Sequence, residues 1–482
     1  MMDRSHHPSG RLVRSLALLA ATSCLTFSAR AQQPVDARTD GLGAPAVTRG
    51  PYLQRATPDS LVVRWRTDLE SDSWVSYGDA PGQLDGSAYD PALVTDHEVE
   101  LTGLLPGTRY FYAVGTSSAV LAGADAETYF ITPPPAGQPK PTRIWVIGDS
   151  GTANQDARAV RDAYLAFTGE RPTDLWLMLG DNAYLSGTDA EYQAAVFDVY
   201  PGLLRRSVLW PTLGNHDGIS ADSDTQTGPY YDIFTLPTGG QAGGLPSGTE
   251  AYYSFDYGNL HFIVLDSHET DRSPGGAMLS WAAADLAATQ ADWVIAFWHH
   301  PPYTKGSHDS DVEIQLIEMR ENALPVFEGG GVDLVLTGHS HSYERSFLLD
   351  SHYGDSTSLT AAMILDGGDG NVLGDGPYRK PSDAPTPHEG TVYTVAGSSG
   401  KIGGGPLDHP AMVTSLNRLG SLVLDVDGRF LEGTFLDSDG QVADRFTIVK
   451  SDGDLVFADG FESGGLLAWS SAAPSAAPGV ER

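Results

Sequence analysis

The stretch Leu179-Gly180-Asp181-Asn182-Ala183-Tyr184 places a carboxylate directly after a predicted strand. Residues 174–179 are apolar enough for a fully buried strand, and Gly180 ends that run. Asp181 is therefore expected at the carboxyl-terminal tip of the strand, where layered α/β folds usually build their sites. Two hypotheses fit Asp181 alone: a carboxylate shared by two metal ions, or a turn former or helix N-cap that needs no metal.

Four other short motifs also place metal-binding side chains after predicted strands. A single metal-binding side chain after a strand is more often a structural residue than a ligand. Five blocks with such side chains in succession are hard to obtain by chance. Their carboxylate, amide and imidazole groups suit first-row transition metals better than calcium or magnesium. The only cysteine is Cys24, so no thiolate zinc site is expected. The five blocks are Gly148-Asp149-Ser150-Gly151, Gly180-Asp181-Asn182-Ala183-Tyr184, Gly214-Asn215-His216-Asp217, Trp298-His299-His300-Pro301-Pro302-Tyr303 and Gly338-His339-Ser340-His341.

Residues 143–450 have the pattern of a layered α/β domain, because apolar runs alternate with segments of helical periodicity. Predicted strands lie at residues 144–147, 174–179, 261–265, 293–298 and 332–336, and predicted helices at 154–167, 190–199, 276–288 and 312–324. Four later runs, at residues 391–395, 421–426, 431–436 and 445–449, predict a second, more antiparallel sheet. The pairs Asp427-Gly428 and Asp439-Gly440 are interpreted as hairpin turns rather than calcium-loop fragments.

The preceding segment, residues 45–133, is predicted to be all-β. Short alternating runs such as Ser60–Trp65 and Trp74–Gly78 are separated by turn residues, which is typical of a small antiparallel sandwich. His97 within it is interpreted as a surface residue rather than a metal ligand. Residues 134–142 form a proline-rich linker that is expected to hold the module at a fairly fixed distance.

The N-terminus has the three parts of an export signal. Arg4, Arg11 and Arg14 form a basic region, residues 16–27 an apolar region too short to span a bilayer, and Ala29-Arg30-Ala31 a cleavage site. Residues 1–31 are thus predicted to be a signal peptide cleaved after Ala31, residues 32–44 a linker, and the protein secreted or periplasmic. Cys24 could instead carry a lipid anchor, but Ala21-Thr22-Ser23 is a poor match to the usual lipoprotein signal.

The chain length bears on the number of domains, and the net charge on the classes of partner that the protein could bind. The chain has 482 residues, which predicts two or three domains, and residues 451–482 are predicted to be a flexible tail. Lys and Arg total 29 against 62 Asp and Glu, a net charge of −33 that disfavours nucleic acid and anionic membranes as partners. No later apolar run is long enough to span a membrane. A small anionic substrate would be repelled unless bound metal overrides this field.

Taken in order, the five blocks resemble the motif series of the purple acid phosphatases within the calcineurin-like metallophosphoesterases. Gly151 and Tyr184 mark the purple subfamily, and Tyr343-Glu344-Arg345 and Gly390-Thr391-Val392-Tyr393 add further agreement. The resemblance implies a four-layer αββα metallophosphoesterase sandwich. The β segment before it resembles the fibronectin type III-like domain that precedes the catalytic domain in plant-type and many bacterial members.

The resemblance also implies roles for individual residues. One metal, ferric iron or Fe(III), would be bound by Asp149, Tyr184 and His341; a divalent ion, Zn, Mn or Fe, by Asn215, His299 and His339; and Asp181 would bridge them. Ala296 stands where the family usually has valine, and the pair His299-His300 leaves the ligand ambiguous, although Pro301 and Tyr303 put His299 in register.

Two further histidines have implied catalytic roles. His216 matches the family histidine that contacts substrate phosphate. His308 lies roughly where a second family histidine is proposed to protonate the leaving alkoxide, and its alternative is an exposed loop residue. No motif supports the other histidines, which are interpreted as structural or exposed: His261, His268, His352, His388 and His409.

The leading hypothesis is an exported phosphatase that hydrolyses phosphomonoesters. Two metal ions about 3.5–4 Å apart would clamp the phosphate and turn a water into hydroxide for in-line attack. The substrate would be a small phosphate ester. The alternatives are a phosphodiesterase or nucleotide hydrolase that uses the same metals, and a non-enzymatic surface-binding protein with a relic catalytic domain.

Overall fold

Two regions of sheet, one before and one after the proline-rich segment, make up the described part of the chain. The computed structural model describes residues 44–451, 455–457 and 469–471. The predicted signal peptide and almost all of the predicted linker 32–44 lie outside these residues. Within the described part, no helix is both long and apolar enough to cross a membrane.

The first region is a six-stranded antiparallel sheet. The long strand β2 pairs with β1 along its first half and with β4 along its second, so it ties the module together. The strands are β1 Val47–Gln54, β2 Ser60–Gly78, β3 Gly86–Thr102, β4 Arg109–Thr116, β5 Ala119–Gly123 and β6 Tyr129–Ile131.

The prediction that His97 lies on the surface is wrong. His97 is completely buried because alternate residues of β3 at this end, His97, Val99 and Leu101, point inward. Its ring stacks on Trp65 with 4.6 Å between centroids, and its two nitrogens lie within hydrogen-bonding distance of hydroxyl groups. Burial lowers the pKa of His97.

The β module docks directly on the next domain instead of being held at a distance. The Tyr52 hydroxyl donates to the carbonyl of Ile233 at 2.8 Å, and the guanidinium of Arg49 lies 2.8 Å from the carboxylate of Asp189. The linker also contacts the second region, since Pro134 is buried and the amide of Gly137 donates to the carbonyl of Gly258 at 2.7 Å. The described residues from Pro45 onward accordingly belong to one compact unit.

The second region contains two seven-stranded sheets. Its strands are β7 Thr142–Ile147, β8 Leu175–Met178, β9 Val208–Pro211, β10 Tyr253–Tyr257, β11 Leu260–Val264, β12 Trp293–Phe297, β13 Leu334–Thr337, β14 Tyr343–Ser346, β15 Leu348–Leu349, β16 Ile364–Asp366, β17 Tyr378–Lys380, β18 Val392–Ala396, β19 Met412–Leu416, β20 Gly420–Asp427, β21 Phe430–Asp437 and β22 Val442–Lys450. Its helices are α1 Gln155–Thr168, α2 Asp189–Tyr192, α3 Pro201–Leu204, α4 Pro229–Ile233, α5 Ala277–Ala288, α6 Ile314–Glu318 and α7 Leu324–Gly329.

Each sheet contains a block of parallel strands, which lies at one edge of the first sheet and in the centre of the second. One has the order β17-β22-β21-β20-β7-β8-β9, in which β7, β8 and β9 are parallel. The other has the order β10-β11-β12-β13-β18-β14-β19, in which β11, β12, β13 and β18 are parallel. The strands of both parallel blocks are fully buried, which explains their continuous apolar runs.

The prediction of a separate, more antiparallel sheet is wrong in its pairing. The four late strands exist, but β18 joins β13 in parallel while β20 pairs antiparallel with β7. An apolar run shows that a strand is buried and does not specify its partner. The turns after β20 and β21 are the predicted hairpins, with Gly428 and Gly440 at φ +54° and +79°.

Two helical predictions differ at their ends. The helix predicted at residues 312–324 continues to Gly329, as α6, a π-helical turn Met319–Ala323 and α7. Pro325 lies in the first turn of α7, where its missing amide hydrogen is tolerated. The helix predicted at residues 190–199 is α2 followed by a second π-helical turn, Gln193–Phe197.

The predicted C-terminal tail contains one paired segment. Strand β23 Leu455–Phe457 pairs antiparallel with β24 Trp469–Ser471. The other residues of the segment 452–482 lie outside the described part.

Candidate metal centre

All five motif blocks begin within three residues of the carboxyl end of a strand. These strands are β7, β8 and β9 in one sheet and β12 and β13 in the other. Because parallel strands present their carboxyl ends at the same edge, both sheets bring their motif loops to one place. The seven predicted metal ligands converge there.

The first group of atoms centres on the phenol of Tyr184. Its hydroxyl lies 2.9 Å from Oδ1 of Asp149 and 2.8 Å from Oδ2 of Asp181, and Nε2 of His341 lies 3.5 Å from Oδ1 of Asp149. Burial, together with these two carboxylates, raises the pKa of Tyr184 well above its ordinary value. The phenol has one proton to donate to two carboxylates, so one carboxylate oxygen faces the phenol oxygen without a proton between them. A cation bound here would remove this electrostatic repulsion.

The second group centres on His299. Its Nδ1 lies 2.8 Å from the carbonyl oxygen of Leu179, which only an N–H can satisfy, so Nε2 carries a lone pair when the ring is neutral. That lone pair faces two further acceptors, Oδ1 of Asn215 at 3.0 Å and Oδ1 of Asp181 at 3.4 Å. Burial lowers the pKa of His299, but the charges of Asp181 and Asp149 outweigh it and raise the pKa, and a metal ion at Nε2 would take the place of the second proton.

His339 completes the second group with the same geometry. Its Nε2 lies 3.2 Å from Oε2 of Glu313, which leaves a lone pair on Nδ1. Nδ1 in turn lies 3.0 Å from Oδ1 of Asn215 and 3.2 Å from Nε2 of His299. Acceptor atoms that face one another without a proton between them are costly to bury, and a metal cation removes that cost. The residues present therefore fit a metal ion.

The surroundings of Asp149 and His339 favour the forms of these two side chains that bind metal. Burial would raise the pKa of Asp149, but a hydrogen bond from His341 and the charges of nearby histidines lower it well below its usual range. Burial lowers the pKa of His339 to about 4, which keeps its imidazole neutral in mild acid. A neutral imidazole and an ionised carboxylate are the forms that bind metal.

The backbone at the site is unusual and depends on two glycines. Asp149, Asp181 and His339 have φ values of +54°, +52° and +66°, a left-handed conformation rare outside glycine. A Cβ on Gly180 would lie 2.5 Å from Nδ1 of His299, and one on Gly338 would lie 2.6 Å from Oδ2 of Asp149. The glycines therefore let neighbouring motif loops approach closely.

His300 lies beside the cluster, and one ring nitrogen from each of His299, His300 and His339 lies within 4.8 Å of the other two. Its Nδ1 is 2.9 Å from the hydroxyl of Ser267, and its ring centroid is 4.4 Å from that of His339. Burial and the neighbouring histidines lower its pKa well below the ordinary value. Because His299 faces Asn215 and Asp181, the geometry supports His299 as the ligand.

The two predicted catalytic histidines lie at the opening of the site. The amide of His216 donates to Oδ1 of Asp181 at 2.9 Å, and its ring meets the ring of Tyr184 edge-on at 4.6 Å. The ring of His308 lies 3.8 Å from that of His339. Both side chains are 29% exposed, so both border the site and face solvent. Their roles remain predictions.

Three contributing residues were not predicted from the sequence. Glu313 lies 2.9 Å from Nδ1 of His308 and 3.2 Å from His339, and these histidines hold its pKa down at about 2 against the effect of burial. Lys401 places Nζ 3.8 Å from the ring centroid of Tyr184. In a chain so rich in acidic residues, nothing in the sequence singles out Glu313.

Asp217, the third of these residues, joins two motif loops. Its carboxylate accepts hydrogen bonds from the amides of Gly214 and Asn182, at 2.9 and 3.1 Å, and from the hydroxyl of Tyr192 at 2.7 Å. Burial and the charge of Asp181 raise its pKa to about 6. Its place at the end of the third motif block was the signal that could have found it.

The histidines without motif support differ in their surroundings. His261 is buried between two carboxylates, at 2.6 Å from Asp256 and 3.0 Å from Asp285, and is structural. His352 and His409 are buried, while the side chain of His388 is 52% exposed. His268 lies close to the site, 6.0 Å from the ring of His300.

Two family profiles match the chain, and they fall on its two regions. The calcineurin-like phosphoesterase profile matches residues 142–343, and the purple acid phosphatase N-terminal domain profile matches residues 51–132. Both regions of the chain are therefore similar to purple acid phosphatases. This confirms the resemblance predicted from the motifs, and the matched profile is that of a metal-dependent phosphoesterase domain.

Relatives and a solved structure agree with this assignment. Purple acid phosphatase 15 of Arabidopsis thaliana is 27% identical over 325 residues, which span 60% of this chain and 58% of that protein. Probable purple acid phosphatase 20 of the same plant is 27% identical over 342 residues, 67% of this chain and 74% of that protein. The structure of purple acid phosphatase PPD1 from yellow lupin seeds aligns with a TM-score of 0.61 at 19% identity, over 85% of this chain and 74% of that one, which confirms the fold class.

Proposed function

We propose that this protein is an exported phosphatase that hydrolyses small phosphomonoesters at a dinuclear metal centre. The observation that carries the proposal is the convergence of seven ligand side chains whose acceptor atoms face one another. A protein with a relic catalytic domain would have no reason to keep every one of these positions.

The ligands divide into two sets. Asp149, Tyr184 and His341 would hold one ion, and Asn215, His299 and His339 the other, with Asp181 shared. The first set contains two negatively charged oxygen donors once the phenol ionises, which supports Fe(III); the second, mainly nitrogen and neutral oxygen, supports Zn, Mn or Fe as the divalent ion. When bound, the metals would supply positive charge for the phosphoryl group and a hydroxide nucleophile.

The chain's own residues would handle substrate and protons. His216, whose ring is fixed against Tyr184 and whose Nδ1 lies 2.6 Å from the carbonyl of Leu185, would donate from Nε2 to a phosphoryl oxygen as an imidazolium. His308 is held at Nδ1 by Glu313, so its Nε2 is the atom that would protonate the leaving alkoxide. Glu313 orients this ring.

A comparison of two substrates tests the proposal. Purified protein that contains its metals is assayed with a simple aryl phosphate and with the corresponding bis-aryl diester. The proposal predicts the higher kcat/KM for the monoester. A preference for the diester would instead favour the phosphodiesterase alternative, and turnover of neither would contradict both. An N-terminus at Gln32 in protein recovered after export would support cleavage after Ala31.

A further inference from the structure

Lys401 stands apart from the other lysines of the chain. The sequence contains five, and all lie in the described part. Four form ion pairs with carboxylates: Lys140 with Asp174, Lys305 with Asp309 and Asp311, and Lys380 and Lys450 with Asp333. Among the described residues, Lys401 has no carboxylate within ion-pair distance. In a chain with a net charge of −33, a lysine without such a partner calls for an explanation.

The loop that carries Lys401 is fixed to the site on both sides of the residue. The carbonyl of Gly400 accepts hydrogen bonds from Oγ1 of Thr152 at 3.2 Å and Nδ2 of Asn154 at 3.1 Å. After Lys401, the amide of Gly403 donates to the carbonyl of the predicted ligand His341 at 2.9 Å. The backbone anchors therefore keep Lys401 at the edge of the metal centre.

The side chain of Lys401 lies at the opening of the site. Its Nζ is 3.8 Å from the ring centroid of Tyr184, and the ring of His216 contacts the same phenol at 4.6 Å. Two donor groups thus border one ring, whose hydroxyl lies between Asp149 and Asp181. An ammonium has three N–H groups, and contact with a ring face leaves others free for an anion.

We propose that Lys401 recognises the dianionic charge of the substrate phosphoryl group and so determines the preference for monoesters over diesters. This rests on the proposed function and adds a specificity-determining residue to it. A phosphomonoester carries close to two negative charges near neutral pH, as a phosphoserine side chain does, whereas a diester carries one. The attraction of a fixed ammonium increases with ligand charge, so Lys401 favours the monoester. It also offsets locally the repulsion of anions by the acidic chain.

The test uses holoprotein with Lys401→Met, the conservative variant Lys401→Arg, and Lys140→Met as the matched control. The dissociation constant of inorganic phosphate and the kcat/KM of an aryl phosphate and a bis-aryl diester are measured for each. In Lys401→Met, phosphate affinity and monoester kcat/KM should fall by roughly 10- to 100-fold, as for a lost hydrogen bond to a charged group, with the diester value changed by less than about 3-fold. Lys401→Arg should recover most of the affinity, and Lys140→Met should match wild type.

Other outcomes would overturn the proposal. Unchanged phosphate affinity in Lys401→Met, or equal losses for monoester and diester, would show that Lys401 only packs against Tyr184. The proposed function fails separately, if wild-type holoprotein turns over neither ester. If the wild-type protein turns over neither ester, the dissociation constants of inorganic phosphate for wild type and Lys401→Met still show whether Lys401 binds the phosphoryl group.

Discussion

Tyr184 is the residue whose chemistry distinguishes an iron-containing site from other two-metal phosphoesterase sites. Its hydroxyl lies 2.9 and 2.8 Å from two buried carboxylates, and its proton can satisfy only one of them at a time. Replacement of that proton by a metal ion would turn the phenol into a phenolate ligand. A phenolate bound to ferric iron absorbs visible light.

The change Tyr184→Phe should therefore abolish visible absorption by removing one oxygen atom while leaving the ring in place. The absorption spectrum of purified protein measures this directly. Tyr164→Phe is the control, because Tyr164 is also buried but hydrogen-bonds only to the hydroxyl of Thr173. A coloured Tyr184→Phe protein would exclude the phenolate as the source of the colour.

Single residues also show the limits of prediction from sequence. Asp149, Asp181 and His339 could be found because each follows a glycine at the end of an apolar run. Glu313 and Lys401 could not, because their contacts with His339 and Tyr184 join parts of the chain that are distant in sequence. His97 was misjudged because a polar residue in a strand can be buried when hydroxyl groups satisfy both ring nitrogens.

At the scale of elements, the loops after the strands depend on close approach. Gly180 follows β8 with φ +89°, and a Cβ there would lie 2.5 Å from Nδ1 of His299. Gly180→Ala should displace His299 and lower both metal content and the melting temperature. Gly169→Ala is a matched control, since Gly169 has φ +56° but nothing within 4 Å of an added Cβ, so only backbone strain of about 1–2 kcal/mol is expected. Equal metal content in both variants would contradict the steric argument.

His261 couples strand β11 to β10 and α5 through Asp256 and Asp285. Burial lowers the pKa of His261, but hydrogen bonds to these carboxylates outweigh it and raise the pKa to about 9, above 6.5 in the unfolded chain. A raised pKa stabilises the fold fully below pH 6.5, by about 3 kcal/mol, and this stabilisation is lost as the pH rises through 9. Denaturant unfolding at pH 6 and pH 10 should show this loss in wild type. The pH dependence should be weaker in His261→Gln; equal dependence in the two proteins would contradict the linkage.

The predictions and the structure differed most in the pairing of the strands and in the ends of the helices. Apolar runs located β18, β20, β21 and β22 correctly, but the pairing of β18 with β13 and of β20 with β7 depends on contacts across the whole domain. The helix predicted at residues 312–324 continues beyond that end as α7, because Pro325 fits the first turn of a new helical segment.

At the scale of the whole molecule, the β module is a structural part of the catalytic unit. Tyr52 is 3% exposed, packs against Phe197 at 4.9 Å and donates a hydrogen bond to Ile233. Tyr52→Ala should cost about 3–5 kcal/mol in the free energy of unfolding, as for other buried aromatic residues. Tyr89→Ala in the same module should cost little, because Tyr89 is 49% exposed. Similar losses in the two variants would argue against a shared core.

The metal content of the purified protein tests the central claim most directly. Elemental analysis of wild-type protein and of Asp181→Asn should find two metal ions per chain in wild type, one of them iron, and fewer in the variant, because Asp181 lies in both ligand sets. The variant should also lose most of its phosphatase activity. Wild-type protein without stoichiometric iron, zinc or manganese, or an Asp181→Asn variant that keeps both metals, would contradict the two-metal centre.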